Sequence, residues 1–150
     1  MVEDILNFYA PITNIGTGGQ PTESQLADIA GAGYTSLINL AMNDSDNVIP
    51  EEGNIAASYG MAYIHMPIPF DAPNAGHLRK FFRLMDALEG ERVFVHCAVN
   101  ARVSAFMYQY LTLQQGVAEE VATSPLLTKW LPQMDEKWQA ILALKVADIA

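Results

Sequence analysis

The chain has 150 residues, 51% of them hydrophobic, enough for one domain that buries roughly 70% of the surface its unfolded form would expose. Eight Lys and Arg against 17 Asp and Glu give a net charge of -9, which repels polyanions and argues against nucleic acid or an anionic membrane surface as a partner. A lone cysteine closes no intramolecular disulfide, and His65, His77 and His96 are too scattered to join it in a structural zinc site.

The amino end, MVEDILNFYA, carries Glu3 and Asp4 where a signal peptide would need basic residues. No apolar run reaches the roughly 18 residues of a membrane span, so a soluble, cytoplasmic protein is expected. GTGGQPTESQLADIAGAG then reads as a glycine-rich turn feeding a helix: Thr22 and Gln25 form a capping-box pair, and Gly31 and Gly33 supply stops. YTSLINL, residues 34–40, is short, β-branched and apolar, and predicts a strand. After the polar loop at 41–49, Pro50, Glu51 and Glu52 suit the first turn of a short helix.

A second strand is predicted at AYIHMPI, residues 62–68, and PFDAPN breaks it. Asn74 caps a helix in which Leu78, Phe81, Phe82, Met85 and Leu88 recur at helical spacing, with Arg79, Lys80 and Arg83 on a solvated face. RVFVHC, residues 92–97, has the nearly unbroken apolar character of a strand buried on both sides of a parallel sheet. Val103, Phe106, Met107, Tyr110 and Leu111 mark an amphipathic helix stopped by Gly116, and Trp130, Leu131, Trp138, Ile141 and Leu142 predict helices packed on the sheet. Strands alternating with helices specify an α/β fold: a single domain over residues 1–150, with a mostly parallel central sheet flanked by helices.

VFVHCAVNARVS therefore spans a strand, a tight loop and a helix start, with Cys97 at the strand's carboxyl end and Arg102 at the helix. Ligands of open α/β sheets bind beyond the carboxyl ends of strands, and the free amides of a helix start bind anions. Those amides, the helix dipole and a guanidinium favour thiolate over thiol. An arginine fork binds two phosphate oxygens at once. The pattern predicts a phosphoryl or sulfuryl site working through a covalent cysteine intermediate.

The stretch resembles the signature of the cysteine-dependent protein tyrosine and dual-specificity phosphatases, a strand, a phosphate-binding loop and a helix. GGQPTESQL, YTSLINL, GMAYIHMPI and VFVHCAVNARVSAF together resemble the small bacterial phosphatases grouped with the beta-lactamase-hydrolase-like proteins, from about residue 16 to residue 107. That likeness implies Cys97 as nucleophile, Arg102 and the loop residues Ala98, Val99, Asn100 and Ala101 as the phosphate cradle, His96 as a residue fixing the loop, and Gln20 lining the site. It implies a phosphorylated protein or small molecule as the partner, and no cofactor.

Three departures stand out. The loop is one residue shorter than in the wider superfamily, as in the bacterial subgroup, and Asn100 stands where glycine is usual; asparagine is among the few residues that readily adopt left-handed backbone. Ser104 is displaced one position from the usual hydroxyl after the arginine, which weakens its expected role beside the leaving thiolate. By resemblance the general acid is an aspartate on the loop after the preceding strand, where Asp71 stands between stiffening prolines, with Asp44 and Asp46 as alternatives. A rhodanese-like sulfurtransferase, which shares the cysteine, four residues and arginine, and a non-catalytic anion-binding domain are the competing functions.

Overall fold

The computed structural model describes residues 1–150. A five-stranded sheet is built from β1 (Tyr9–Ile12), β2 (Ile15–Gly18), β3 (Ser36–Asn39), β4 (Ala62–His65) and β5 (Val93–His96), in the order β1-β2-β5-β3-β4. β2, β5, β3 and β4 run parallel, and only β1 pairs antiparallel, with β2. The central strand is β5: it lies between β2 and β3, so His96 pairs with both Gly18 and Asn39 and the loop that follows emerges at the middle of the sheet.

The first hairpin has no counterpart among the predicted elements, because half of its strand residues, Ala10, Pro11, Gly16 and Gly18, are poor strand formers. Pro11 cannot donate to a ladder and is tolerated only because β1 is an edge strand, and β2 is half glycine. The three apolar strands form where expected, but each is trimmed to four residues.

Helices close both faces. On one side α1 (Glu23–Gly31) and α2 (Glu52–Ser58) cover Leu26, Ile29, Leu37, Ala56 and Phe94. On the other, α3 (Ala75–Ala87) and α4 (Ala101–Gln109), with the short α5 (Glu119–Ala122), α6 (Pro125–Trp130), α7 (Glu136–Ala143) and α8 (Val146–Ile149), surround Val93, Val95, Phe81, Phe106 and Trp138. Thr22 and Asn74 cap α1 and α3 through their side chains, as their motifs predict.

Some helical positions depart from expectation. Arg79 does more than face water: its Nε donates to the Ile149 carbonyl at 3.1 Å, tying α3 to the carboxyl-terminal helix. Leu131 lies in a 3-10 turn and is 44% exposed rather than packed on the sheet, because α6 has already ended. α4 runs on into a π-helical turn at Tyr110–Gln114 before Gly116, at φ 66°, ends it. No helix is long and apolar enough to cross a membrane.

Strand alternation sets the geometry that follows. Phe94 faces α1 and α2 while Val93 and Val95 face α3 and α4, so His96 is directed toward α2 and Cys97 toward the α3 and α4 side.

Candidate active site

Residues Cys97 to Asn100 link β5 to α4 in a turn whose first three carbonyls are pinned outward. His96 Nδ1 donates to the Cys97 carbonyl at 3.0 Å. Asn47 Nδ2 and the Gln20 amide donate to Ala98 O, each at 3.0 Å, and Asn7 Nδ2 donates to Val99 O at 2.9 Å. In a trans peptide the N–H points opposite to the C=O. The amides of Ala98, Val99 and Asn100 are thereby aimed inward, and with those of Ala101 and Arg102 they donate to no protein acceptor. Gly19 permits the crowding: a Cβ there would lie 2.8 Å from Ala98 O.

Asn100 takes φ 75° and ψ 8°, the left-handed backbone for which asparagine is suited. Its Nδ2 is held by Asn7 O at 2.7 Å and Thr17 Oγ1 at 3.2 Å, so the amino-terminal segment and β2 brace the turn.

Cys97, the first residue of this turn, is 1% exposed. Arg102, the second residue of α4, is buried; one terminal nitrogen donates to Ile68 O at 2.9 Å, and its Nε has no protein partner. The Phe70 ring lies 5.8 Å from its guanidinium carbon and packs on Trp130 and Trp138, while Trp138 Nε1 donates to Phe70 O at 2.7 Å. Ser104 does not reach toward the sulfur in its hydrogen bonding: its hydroxyl donates back to Ala101 O at 2.7 Å, the ordinary fate of a serine one turn into a helix.

Gln20 and His96 bond beneath the loop, away from the side its free amides face. Gln20 Nε2 donates to Pro21 O and to the Glu52 carboxylate. His96, wholly buried, donates from Nδ1 to the Cys97 carbonyl and pairs through Nε2 with Glu52 Oε2 at 2.9 Å. Burial alone would push the Glu52 carboxyl up, but the bonds from His96, Gln20 and Tyr63 outweigh it and hold the group below its ordinary range. Glu52 is legible in the sequence only as a helix-start acid; a buried carboxylate 44 positions before its histidine leaves no local signal.

A carboxyl whose folded-state value is lowered contributes stability that is full above its unfolded value and is lost as pH falls through the folded one. Thermal unfolding followed from neutral pH downward is accordingly expected to weaken below the ordinary carboxyl value of 4.5. Glu52→Gln is expected to flatten that limb of the profile; an unchanged limb would detach it from this pair.

The candidate acids lie on loops at the same end of the sheet. Asp71 is exposed in the turn after Phe70, two positions past the Pro69 carbonyl that closes the turn onto the Ala72 amide. Asp44 and Asp46 stand on the loop that Asn47 ties to Ala98. His65 contacts Ala41 O at 2.7 Å, and His77 completes the cap of α3, so neither joins the site. No cluster of three or more His, Cys, Asp or Glu is arranged to hold a metal.

The family model described as DSP-PTPase phosphatase fused to NAD+ kinase matches residues 10–140. A protein from Shewanella putrefaciens CN-32 described as "Putative phosphatase (DUF442)" is 31% identical, with a TM-score of 0.85 over 94% of this chain and 91% of that one. TpbA from P. aeruginosa, solved with pTyr, shares the fold at 15% identity and a TM-score of 0.69, covering 95% of this chain and 86% of its own. The core catalytic domain of the PP-IP phosphatase SIW14 from S. cerevisiae does so at 13% identity and a TM-score of 0.65, over 91% of each chain. No curated protein matches the chain.

Proposed function

The chain belongs to the PTP-NADK family, the DSP-PTPase phosphatases fused to NAD+ kinase, and from that premise we propose that it hydrolyses phosphoesters through a cysteinyl-phosphate intermediate. The observation that carries this reading is that five successive amides after Cys97 have no protein acceptor, three turned by the outward pinning of their peptide carbonyls and two at the start of α4, together with the unpartnered Nε of Arg102. Such a concavity is suited to a tetrahedral dianion.

In this mechanism the Cys97 thiolate attacks phosphorus, the P–O bond to the leaving group breaks, and Asp71 gives its proton to the departing oxygen. Water then attacks phosphorus, Asp71 takes the proton, the P–S bond breaks, and inorganic phosphate leaves with the thiolate restored. The amides and Arg102 hold the equatorial oxygens throughout, where charge gathers in the transition state. Phosphoproteins and small phosphoesters are both within this chemistry.

The four-residue spacing from Cys97 to Arg102 also suits a sulfurtransferase, in which the thiol would carry a persulfide. A screen of aryl and alkyl phosphates beside thiosulfate, run on wild type and Cys97→Ser together, separates the two. Phosphate release by wild type alone is the expected result. Sulfur transfer from thiosulfate to cyanide faster than any ester hydrolysis would overturn the phosphatase reading. Inertness toward all of them would leave an anion-binding domain.

A further inference from the structure

Below the loop lies a second polar layer that the mechanism above does not use. Glu52 opens α2, on the face of the sheet opposite the nucleophile, and is 2% exposed. Carboxylates are almost never buried so completely without a specific partner. Here two partners converge, His96 from the end of β5 and Gln20 from the turn after β2, with Tyr63 of β4 close enough to help hold the carboxyl down. Tyr63 is itself fixed, since Asn39 Nδ2 donates to its hydroxyl at 3.0 Å while Asn39 Oδ1 accepts from the Ala41 amide at 2.8 Å. Burial, with the nearby carboxylate adding to it against the Asn39 bond, raises the Tyr63 hydroxyl far above its ordinary range, so it stays a neutral donor.

We propose that Glu52 is a positioning residue for Cys97, acting through His96 and Gln20 on two successive peptide groups of the anion loop. His96, oriented by the carboxylate, holds the Cys97 carbonyl and so turns the Ala98 amide inward. Gln20, whose side chain is anchored on the same carboxylate, donates from its backbone to Ala98 O and so turns the Val99 amide inward. One buried charge thus sets the direction of two of the donors that favour the thiolate. Glu52 touches neither the sulfur nor a bound anion in this role.

The titratable and charged groups that face this assembly are His96 on β5 and Tyr63 on β4 around the carboxylate, and Arg102 on α4, five residues after Cys97. The proposal rests on reading the loop as a thiolate and anion site, and its test needs no turnover. The rate at which iodoacetamide labels Cys97 is measured across pH for wild type, Glu52→Gln and Glu52→Asp, with and without inorganic phosphate as protectant, alongside thermal unfolding. Glu52→Gln is expected to slow labelling by about tenfold near pH 6.5, to displace the profile toward alkaline pH, and to weaken phosphate protection by a similar factor. Glu52→Asp keeps the charge and is expected to stay within about threefold of wild type.

Wild-type labelling and protection in Glu52→Gln would overturn the proposal, and so would equal losses in Gln and Asp variants, which would mean that packing alone matters. Should Glu52→Gln fail to fold, His96→Asn decides: it cuts the same link with the carboxylate in place, and normal labelling in it overturns the proposal. A chain that hydrolyses phosphoesters with unaltered labelling in these variants rejects only this inference. A chain inert toward every phosphoester but showing the predicted labelling losses rejects only the phosphatase reading.

Discussion

Replacing Cys97 by serine is expected to lower hydrolysis of an aryl phosphate by at least about 10⁴-fold while leaving inorganic phosphate bound within a few-fold of wild-type affinity. The two effects are expected to separate because the proposed nucleophile and the proposed cradle are different atoms of the same loop. The alkoxide that serine would need is inaccessible near neutral pH, whereas the amides of residues 98–102 and the guanidinium are held by His96, Gln20, Asn7, Asn47 and Ile68, none of which contacts the sulfur through these bonds. Steady-state kinetics and calorimetric titration with phosphate check the two halves. Acid quench of a turnover mixture is expected to trap protein-bound phosphate in wild type and none in Cys97→Ser. Residual activity within about a hundredfold of wild type would place the nucleophile elsewhere, and loss of phosphate binding with retained stability would mean that the sulfur itself organises the cradle.

Much of this site is legible in the sequence because its parts are contiguous in the chain. A buried apolar strand, a turn and a helix start occupy residues 93–109, so Cys97, Asn100 and Arg102 are related by local geometry alone, and the left-handed Asn100 follows from what asparagine tolerates. α3 is equally legible, since its apolar stripe and its Asn74 cap agree.

What the sequence hides depends on pairing across the sheet. Glu52 meets His96 only because β5 inserts beside β3, bringing α2 over the carboxyl end of a strand whose last residue follows 44 positions later in the chain. The family likeness places Gln20 on the lining of the site, yet its side-chain amide turns to that same carboxylate, a partner no spacing could supply. The amino-terminal brace is hidden for the same reason: Asn7 grips the loop from the far end of the chain, through contacts of no sequence periodicity.

The second large effect concerns the proton. A p-nitrophenolate leaves with little help, whereas the alkoxide of a serine or small alcohol needs a full proton, so a general acid contributes roughly 100- to 10,000-fold and most for the poorer leaving group. Asp71 follows Phe70, whose ring lies against the Arg102 guanidinium and whose carbonyl is held by Trp138, and Ile68 of the same segment accepts from Arg102. Its turn is thus fastened to Arg102 at two points, while the Asp44 and Asp46 loop is fastened to residues 97–102 only through Asn47. Asp71→Asn is therefore expected to slow alkyl phosphate hydrolysis far more than aryl phosphate hydrolysis, and to flatten the alkaline limb of the pH profile. Sulfur transfer from thiosulfate has no alkoxide to protonate and would not respond. Equal, wild-type rates on both esters in Asp71→Asn, with the selective loss appearing instead in Asp44→Asn or Asp46→Asn, would move the acid to that loop; no selective loss in any of the three, with thiosulfate the better substrate, would remove the phosphatase mechanism altogether.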